Sequence, residues 1–156
     1  MKILFALCLA LGFSAAIPAK AACTRPADAK ARIAQTMAQI NAYRKSSGLP
    51  ALSVDRKLAK TAASHACDMA HMGHYAHIGS NGSNLARRVK AQGYRLRTAN
   101  ENVGQFLPST SAAGWWYKSP GHRANMLSAK INDVGLGVAI GADQRLYWVM
   151  VGGKSR

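Results

Sequence analysis

Glu101 is the only glutamate in the chain, and just five aspartates accompany it. Most of those aspartates have a local explanation. Asp28 and Asp55 stand where helices start, where a carboxylate can cap free backbone N–H groups. Asp143 falls in a turn, Asp133 in the approach to a strand, and Asp68 on the solvated side of a helix. Glu101 has no such role. It sits in Asn100-Glu101-Asn102-Val103-Gly104, a strand-like stretch between polar and apolar residues. A carboxylate there suits general acid or base chemistry. The plainer alternatives are a surface strand residue and a buried glutamate paired with an arginine.

Five histidines supply the other titratable groups: His65, His71, His74, His77 and His122. His71, His74 and His77 are three apart, which on one continuous helix would make a metal-binding face. Gly73 interrupts that helix, so the spacing need not bring them together. His65 falls on an apolar stripe and reads as a core histidine. His77 and His122 lie in turn-rich segments beside helix ends, Tyr75-Ala76-His77-Ile78-Gly79-Ser80 and Ser119-Pro120-Gly121-His122-Arg123. Two imidazoles and one carboxylate can act as acid/base partners, or as an open site for zinc or another divalent metal. The catalytic candidates are therefore His77, Glu101 and His122, and the metal-ligand candidates His77 and His122. Surface histidines without a site are the bland alternative. No serine has the strand-turn-helix setting of a nucleophile, and Gly135 and Gly137 lack the following helix of a phosphate loop.

The elements that must carry these residues follow from hydrophobic period and punctuation. A first helix is predicted over Asp28–Lys45 and a second from Asp55 to about Gly73. Residues 74–84 read as a loop. A short helix follows Asn84, a strand covers Glu101–Phe106, and a helix bearing Trp115 and Trp116 runs from Ser109 to Lys118. Ser119-Pro120-Gly121 is expected to break that helix, with a short helical turn over Arg123–Leu127. Val134, Leu136 and Val138 then alternate with Gly135, Gly137 and Ala139, a strand with one bulky and one nearly bare face. The bare face invites another backbone to approach closely. Gly141–Gln144 make a hairpin turn, and Arg145–Val151 read as a central strand buried on both faces. Helices first and a hairpin last give the α+β class.

Residues 1–22 stand apart as a secretory signal peptide. Lys2 precedes an apolar stretch from Ile3 to Ile17, and Ala19-Lys20-Ala21 is a small-x-small cleavage signal, cut after Ala21 or Ala22. The expected domain is residues 23–156, secreted or periplasmic. Cys8 leaves with the signal. Cys23 and Cys67 remain and are most simply a disulfide in an exported chain, with free thiols the alternative. Lys20 stands where a lipid-anchored Cys23 would want a leucine-like residue.

The 156 residues carry a net charge of +15. Cleavage after Ala21 removes Lys2 and Lys20 and leaves +13. Such a surface attracts polyanions, of which anionic lipid and cell-envelope polymers are the accessible ones for an exported protein, with peripheral membrane contact. The basic residues are scattered without interleaved aromatics, so no specific nucleic-acid recognition is expected. Beyond the N-terminal segment no apolar run approaches the ~20 residues that span a bilayer.

The ordered set His77-Ile78-Gly79-Ser80, Asn100-Glu101-Asn102-Val103, Trp116-Tyr117-Lys118-Ser119-Pro120-Gly121-His122-Arg123-Ala124-Asn125-Met126-Leu127, Val134-Gly135-Leu136-Gly137-Val138-Ala139 and Tyr147-Trp148-Val149-Met150-Val151 resembles the bacterial branch of the CAP superfamily. That superfamily unites cysteine-rich secretory proteins, insect venom antigens and plant pathogenesis-related proteins around the SCP domain. The resemblance covers about residues 36–153. It implies a three-layer α-β-α sandwich with a small, mainly antiparallel sheet, and a cleft of two histidines and two acids. His77 and His122 match the histidines and Glu101 the first acid. The second acid of animal members would fall near Lys118-Ser119 and is missing, which weakens any proteolytic mechanism. Members of the superfamily range over lipid carriers, divalent-metal binders, proposed proteases and secreted antimicrobial or signalling proteins.

Three functions therefore compete. The first is a secreted binding module whose His/Glu cleft takes a divalent metal or a lipid or envelope ligand. The second is a metal-assisted hydrolase of peptide or cell-wall substrates with Glu101 as base. The third is a structural or toxin-like protein in which the cleft residues form a buried polar network.

Overall fold

The computed structural model describes residues 23–156, so the expected signal peptide lies outside the described residues. Helix α1 spans Ala29–Ser46 and buries Thr36, Ile40 and Arg44. Asp28 precedes it without capping a backbone N–H; its carboxylate pairs instead with Arg32 Nε at 2.7 Å. Arg44 is fully buried, and its guanidinium donates to the carbonyls of Pro50, Met126 and Ser128, each at 2.9 Å. A two-residue strand β1, Ser53–Val54, leads to α2, Arg56–Met72. The Asp55 side chain accepts from the N–H groups of Lys57 and Leu58 and starts α2; Gly73, at φ 73°, ends it. Asn84 caps α3, Leu85–Ala91, by accepting from Arg87 N–H.

Strand β2 covers Leu96–Phe106, five residues more at its start than the strand expected from Glu101. Helix α4 is Ala112–Lys118 and starts three residues later than Ser109, because Leu107–Thr110 form a turn and Ser111 supplies the cap. The largest departure follows. Helix α5 is Pro120–Met126, so the proline expected to break structure occupies the first helical position. Proline fits there because its missing N–H has no helical partner to lose. His122 thus stands on a helix and not in a loop. Strands β3, Asp133–Ile140, and β4, Leu146–Ser155, complete the chain.

The sheet order is β1-β3-β4-β2, with β1 parallel to β3 and the other pairs antiparallel. β4 lies inside the sheet and is buried on both faces along Leu146–Val151, as its pattern predicts. Leu146, Trp148 and Met150 join Val134, Leu136 and Val138 in a core with Ile40, Trp116 and Met126, from α1, α4 and α5. Tyr147, Val149 and Val151 pack on the other side with Leu58, Ala62, Ala66, Met69 and Val89, from α2 and α3. The result is the α+β, three-layer α-β-α sandwich.

The bare face of β3 is where α2 lies. A Cβ built on Gly135 would sit 2.0 Å from the backbone carbon of Leu58, and one on Gly137 would sit 2.3 Å from that of Ala62. Glycine there lets helix backbone rest directly on strand backbone. Cys23 and Cys67 form the disulfide, tying the start of the described chain to α2 across a separation of 44 residues. No helix among the described residues is long and apolar enough to cross a membrane.

Candidate functional site

Strand alternation sends Glu101 and its neighbours to opposite sides of β2. Glu101 turns toward the α2/α3 layer and is 6% exposed. Both carboxylate oxygens are engaged there. Oε2 accepts from Arg88 Nη2 of α3 at 2.7 Å, and Oε1 accepts from His77 Nδ1 at 2.9 Å. Arg88 also donates through Nη1 to the carbonyls of Ser83 and His77. One guanidinium therefore neutralises the glutamate and holds the loop that carries its histidine partner.

That loop is tied at two further points. Asp68 of α2 accepts from both N–H and Oγ of Ser80, so it is a loop anchor and not the solvated residue expected. His65, 1% exposed, donates from Nε2 to the carbonyl of Ala76 at 2.8 Å. A carbonyl can only accept, so the ring proton sits on Nε2. This is the core histidine the apolar stripe predicts, held through Nε2 while its Nδ1 has no partner, and burial pushes its pKa down. Gly73 turns the chain away from the helical path, so His71, His74 and His77 do not share a face. Among the described residues no group of three or more His, Cys, Asp or Glu side chains is arranged to hold a metal.

His122 approaches from the other side of β2. Its Nδ1 lies 2.8 Å from Ser119 Oγ, and its ring meets Trp115 edge-on with centroids 5.2 Å apart. Asparagines secure it. Asn102 donates from Nδ2 to the His122 carbonyl at 2.9 Å, and Asn125 of α5 donates to the Glu101 carbonyl and to Asn102 Oδ1. Asn100 donates in turn to the Asn125 carbonyl. The run Asn100-Glu101-Asn102 thus works on two sides at once. Its asparagines stitch β2 to α5 while its glutamate holds Arg88 and His77. The sequence singled out the glutamate alone. Asparagine is disfavoured in strands, and two of them flanking Glu101 were the available sign of a polar seam.

The charges of the two imidazoles interact. The hydrogen bond to Glu101 raises the pKa of His77 above its ordinary 6.5, against opposing burial and the Arg88 charge. Burial, and then the neighbouring His77 charge, lower that of His122. The geometry therefore brings His77, Glu101 and His122 to one edge of the sheet. Each histidine has Nδ1 committed within the protein, and neither Nε2 makes a hydrogen bond among the described residues. Ser119, one turn before His122, holds its ring with a hydroxyl.

Comparison with known proteins agrees with this architecture. The sequence model of the cysteine-rich secretory protein family, CAP, matches residues 37–151. YkwD of Bacillus subtilis is 30% identical over 99 residues, covering 62% of this chain and 38% of that protein. The chain thus spans about two-fifths of that relative's length. An outer surface protein of Borrelia burgdorferi superposes with a TM-score of 0.75 at 19% identity, over 81% of this chain and 95% of that one. An extracellular SCP-domain protein of Bacillus anthracis gives 0.71 at 23% identity, over 81% of this chain and 41% of that one.

Proposed function

This chain belongs to the cysteine-rich secretory protein (CAP) family, and from that premise we propose that it is an exported binding module that takes a divalent metal such as zinc between His77 and His122. One observation carries the reading. Each imidazole is held through Nδ1, by Glu101 or by Ser119, so that Nε2 is the nitrogen left to face a ligand. Metal-ligating histidines are commonly oriented this way, with a carboxylate or hydroxyl on the other ring nitrogen. The donor set fits an open site: two imidazoles suit zinc, and the remaining positions fall to water or to a ligand. A metal so held would act as a Lewis acid toward a bound anionic or carbonyl oxygen.

The chain's own residues supply orientation. Glu101 keeps the His77 proton on Nδ1, Arg88 holds Glu101 in place, and Ser119 with Asn102 sets His122. Glu101 is thereby an orienting group more than a free base, since both its oxygens are committed. This disfavours the hydrolase reading, as does the Lys118-Ser119 pair at the missing acid. Export is supported by the N-terminal segment and by the disulfide, a bond that persists in oxidising compartments. Trp115, 45% exposed beside His122, offers an apolar wall to whatever ligand completes the site.

Calorimetric titration of the mature protein with zinc tests the proposal. One saturable event is expected, lost in His77→Ala and in His122→Ala. Heats that remain unchanged in both variants would overturn it.

A further inference from the structure

Five large apolar side chains stand exposed among the described residues: Val54, Tyr75, Ile78, Leu107 and Trp115. Three of them border the imidazole pair. Tyr75 and Ile78, 58% and 53% exposed, flank His77 in its loop, two residues before it and one after. Trp115, 45% exposed, meets the His122 ring with centroids 5.2 Å apart. Burial lowers the pKa of His122 and the nearby charge of His77 lowers it further, so the two rings are neighbours. Tyr75 and Ile78 therefore stand on one side of the opening and Trp115 on the other. A single exposed apolar residue needs no explanation, but several around one opening mark an interaction surface.

The backbone keeps these side chains in water. The carbonyls of Ala76 and His77, between Tyr75 and Ile78, are bonded inward by His65 and Arg88. Trp115 rests against the Phe106 ring, itself buried. Cations accompany the apolar rim. Lys118 stands one turn beyond Trp115 on α4, and Arg123 follows His122 with its guanidinium over the Tyr117 ring. Both are exposed, and neither forms an ion pair among the described residues. The acid at the opening, Glu101, is buried and taken by Arg88 and His77.

The mixture points to one occupant. Tryptophan and tyrosine favour the headgroup zone of a bilayer, where one end of the ring is apolar and the other wet. Lysine and arginine beside them meet the phosphates of anionic lipid. A protein partner fits less well. Three side chains about half exposed offer on the order of 300 Å2, whereas a stable interface takes about 800 Å2 from each partner. We propose that this rim docks the protein on an anionic membrane surface, with Tyr75, Ile78 and Trp115 among the headgroups and Lys118 and Arg123 on lipid phosphates. Docked so, the imidazole pair opens toward the bilayer. The proposal stands without metal at His77 and His122, and its test runs in chelator, so a failed zinc titration leaves it untouched.

Trp116 and Trp148 are buried, so a change in tryptophan emission on adding vesicles reports Trp115. The mature protein is mixed with phosphatidylcholine vesicles, with and without phosphatidylglycerol, and followed by cosedimentation and emission. Binding with a blue shift is expected only where phosphatidylglycerol is present. Tyr75→Ser and Ile78→Ser should each weaken it about tenfold, for an apolar side chain no longer withdrawn from water. Val54→Ser removes a side chain equally open to water at β1, the opposite edge of the sheet from β2, and should change binding less than about twofold. Lys118→Gln/Arg123→Gln should weaken binding about tenfold, and by less at high salt. Cosedimentation without a blue shift, or equal weakening in Val54→Ser and Ile78→Ser, would reduce the contact to diffuse charge and overturn the rim. Vesicles of phosphatidylcholine alone binding as tightly would overturn the anionic assignment. Self-association in the ultracentrifuge without vesicles, lost in Ile78→Ser, would give the rim to a second copy of the chain and overturn membrane docking likewise.

Discussion

The Nδ1–H of His77 donates to Oε1 of Glu101 across 2.9 Å, while the opposite oxygen of that carboxylate accepts from Arg88. The imidazole is 61% exposed and the glutamate side chain only 3%. A buried carboxylate thus sets the proton of a solvent-facing ring, and the loop bearing the ring is held by the same arginine.

Replacing Glu101 by Gln should therefore act in two places. It leaves the Arg88 guanidinium buried beside a neutral group, which costs about 3 kcal/mol of stability. It also removes the main cause of the raised His77 pKa. Urea denaturation and an NMR titration of the His77 ring read the two effects. An unchanged His77 titration in a folded Glu101→Gln protein would show that the pair is not coupled.

Metal binding should strengthen as pH rises. A ligating imidazole must be neutral, and His77 holds its proton to a pH above the ordinary 6.5, whereas His122 loses its own below it. His77 thus sets the rise, and Glu101→Gln should move that rise to lower pH. Zinc titrations repeated between pH 5.5 and 8 provide the check, those limits bracketing the ordinary histidine range of about 6.5.

Fold stability should respond to acid through other histidines. His65 and His122 have folded pKa values depressed by burial, so the unfolded chain takes up their protons more readily. Their contribution is complete above 6.5 and is lost as pH falls through the folded values beneath it. His77 works in reverse: its contribution is present below 6.5 and lost as pH rises through its raised value. Urea midpoints of wild type and His65→Asn across this range separate the two. His65→Asn should flatten the acid limb.

Gly137→Ala should destabilise by about 3 kcal/mol, the upper end for an overpacked core. The added methyl would meet the backbone of α2 at Ala62, which cannot rotate aside. Gly121→Ala in α5, with nothing within 4 Å of the new methyl, should be neutral or stabilising by about 0.5 kcal/mol. Thermal denaturation of the two variants makes the comparison internal.

Loss of the Cys23–Cys67 bond in Cys67→Ala should cost about 3–4 kcal/mol, for closing a loop of this length. A reduced wild-type protein should melt with the variant, and a melt indistinguishable from the oxidised protein would disprove the contribution.

Local chemistry was legible along the chain. Asp55 and Asn84 cap the helices they precede and Gly73 ends one, because a cap needs only a side chain and the next three residues. The bare face of β3 announced a close backbone neighbour, because side-chain volume is written at each position. The central strand and the disulfide were legible for similar reasons. What no local pattern contained was the choice of partners. Arg88 had the same standing as every other basic residue until folding laid α3 beside β2 and buried its charge against Glu101. Pro120 could end one helix or open another, and only the packing of α5 against the asparagine seam made it an opening. The order of residues was enough to lay out most of the elements, the α+β class and the side chains with chemistry to offer, while the three layers were what the family resemblance implied. Folding was needed to turn Glu101 inward to orient His77, since a carboxylate's role depends on the charges that desolvation places within hydrogen-bond reach of it.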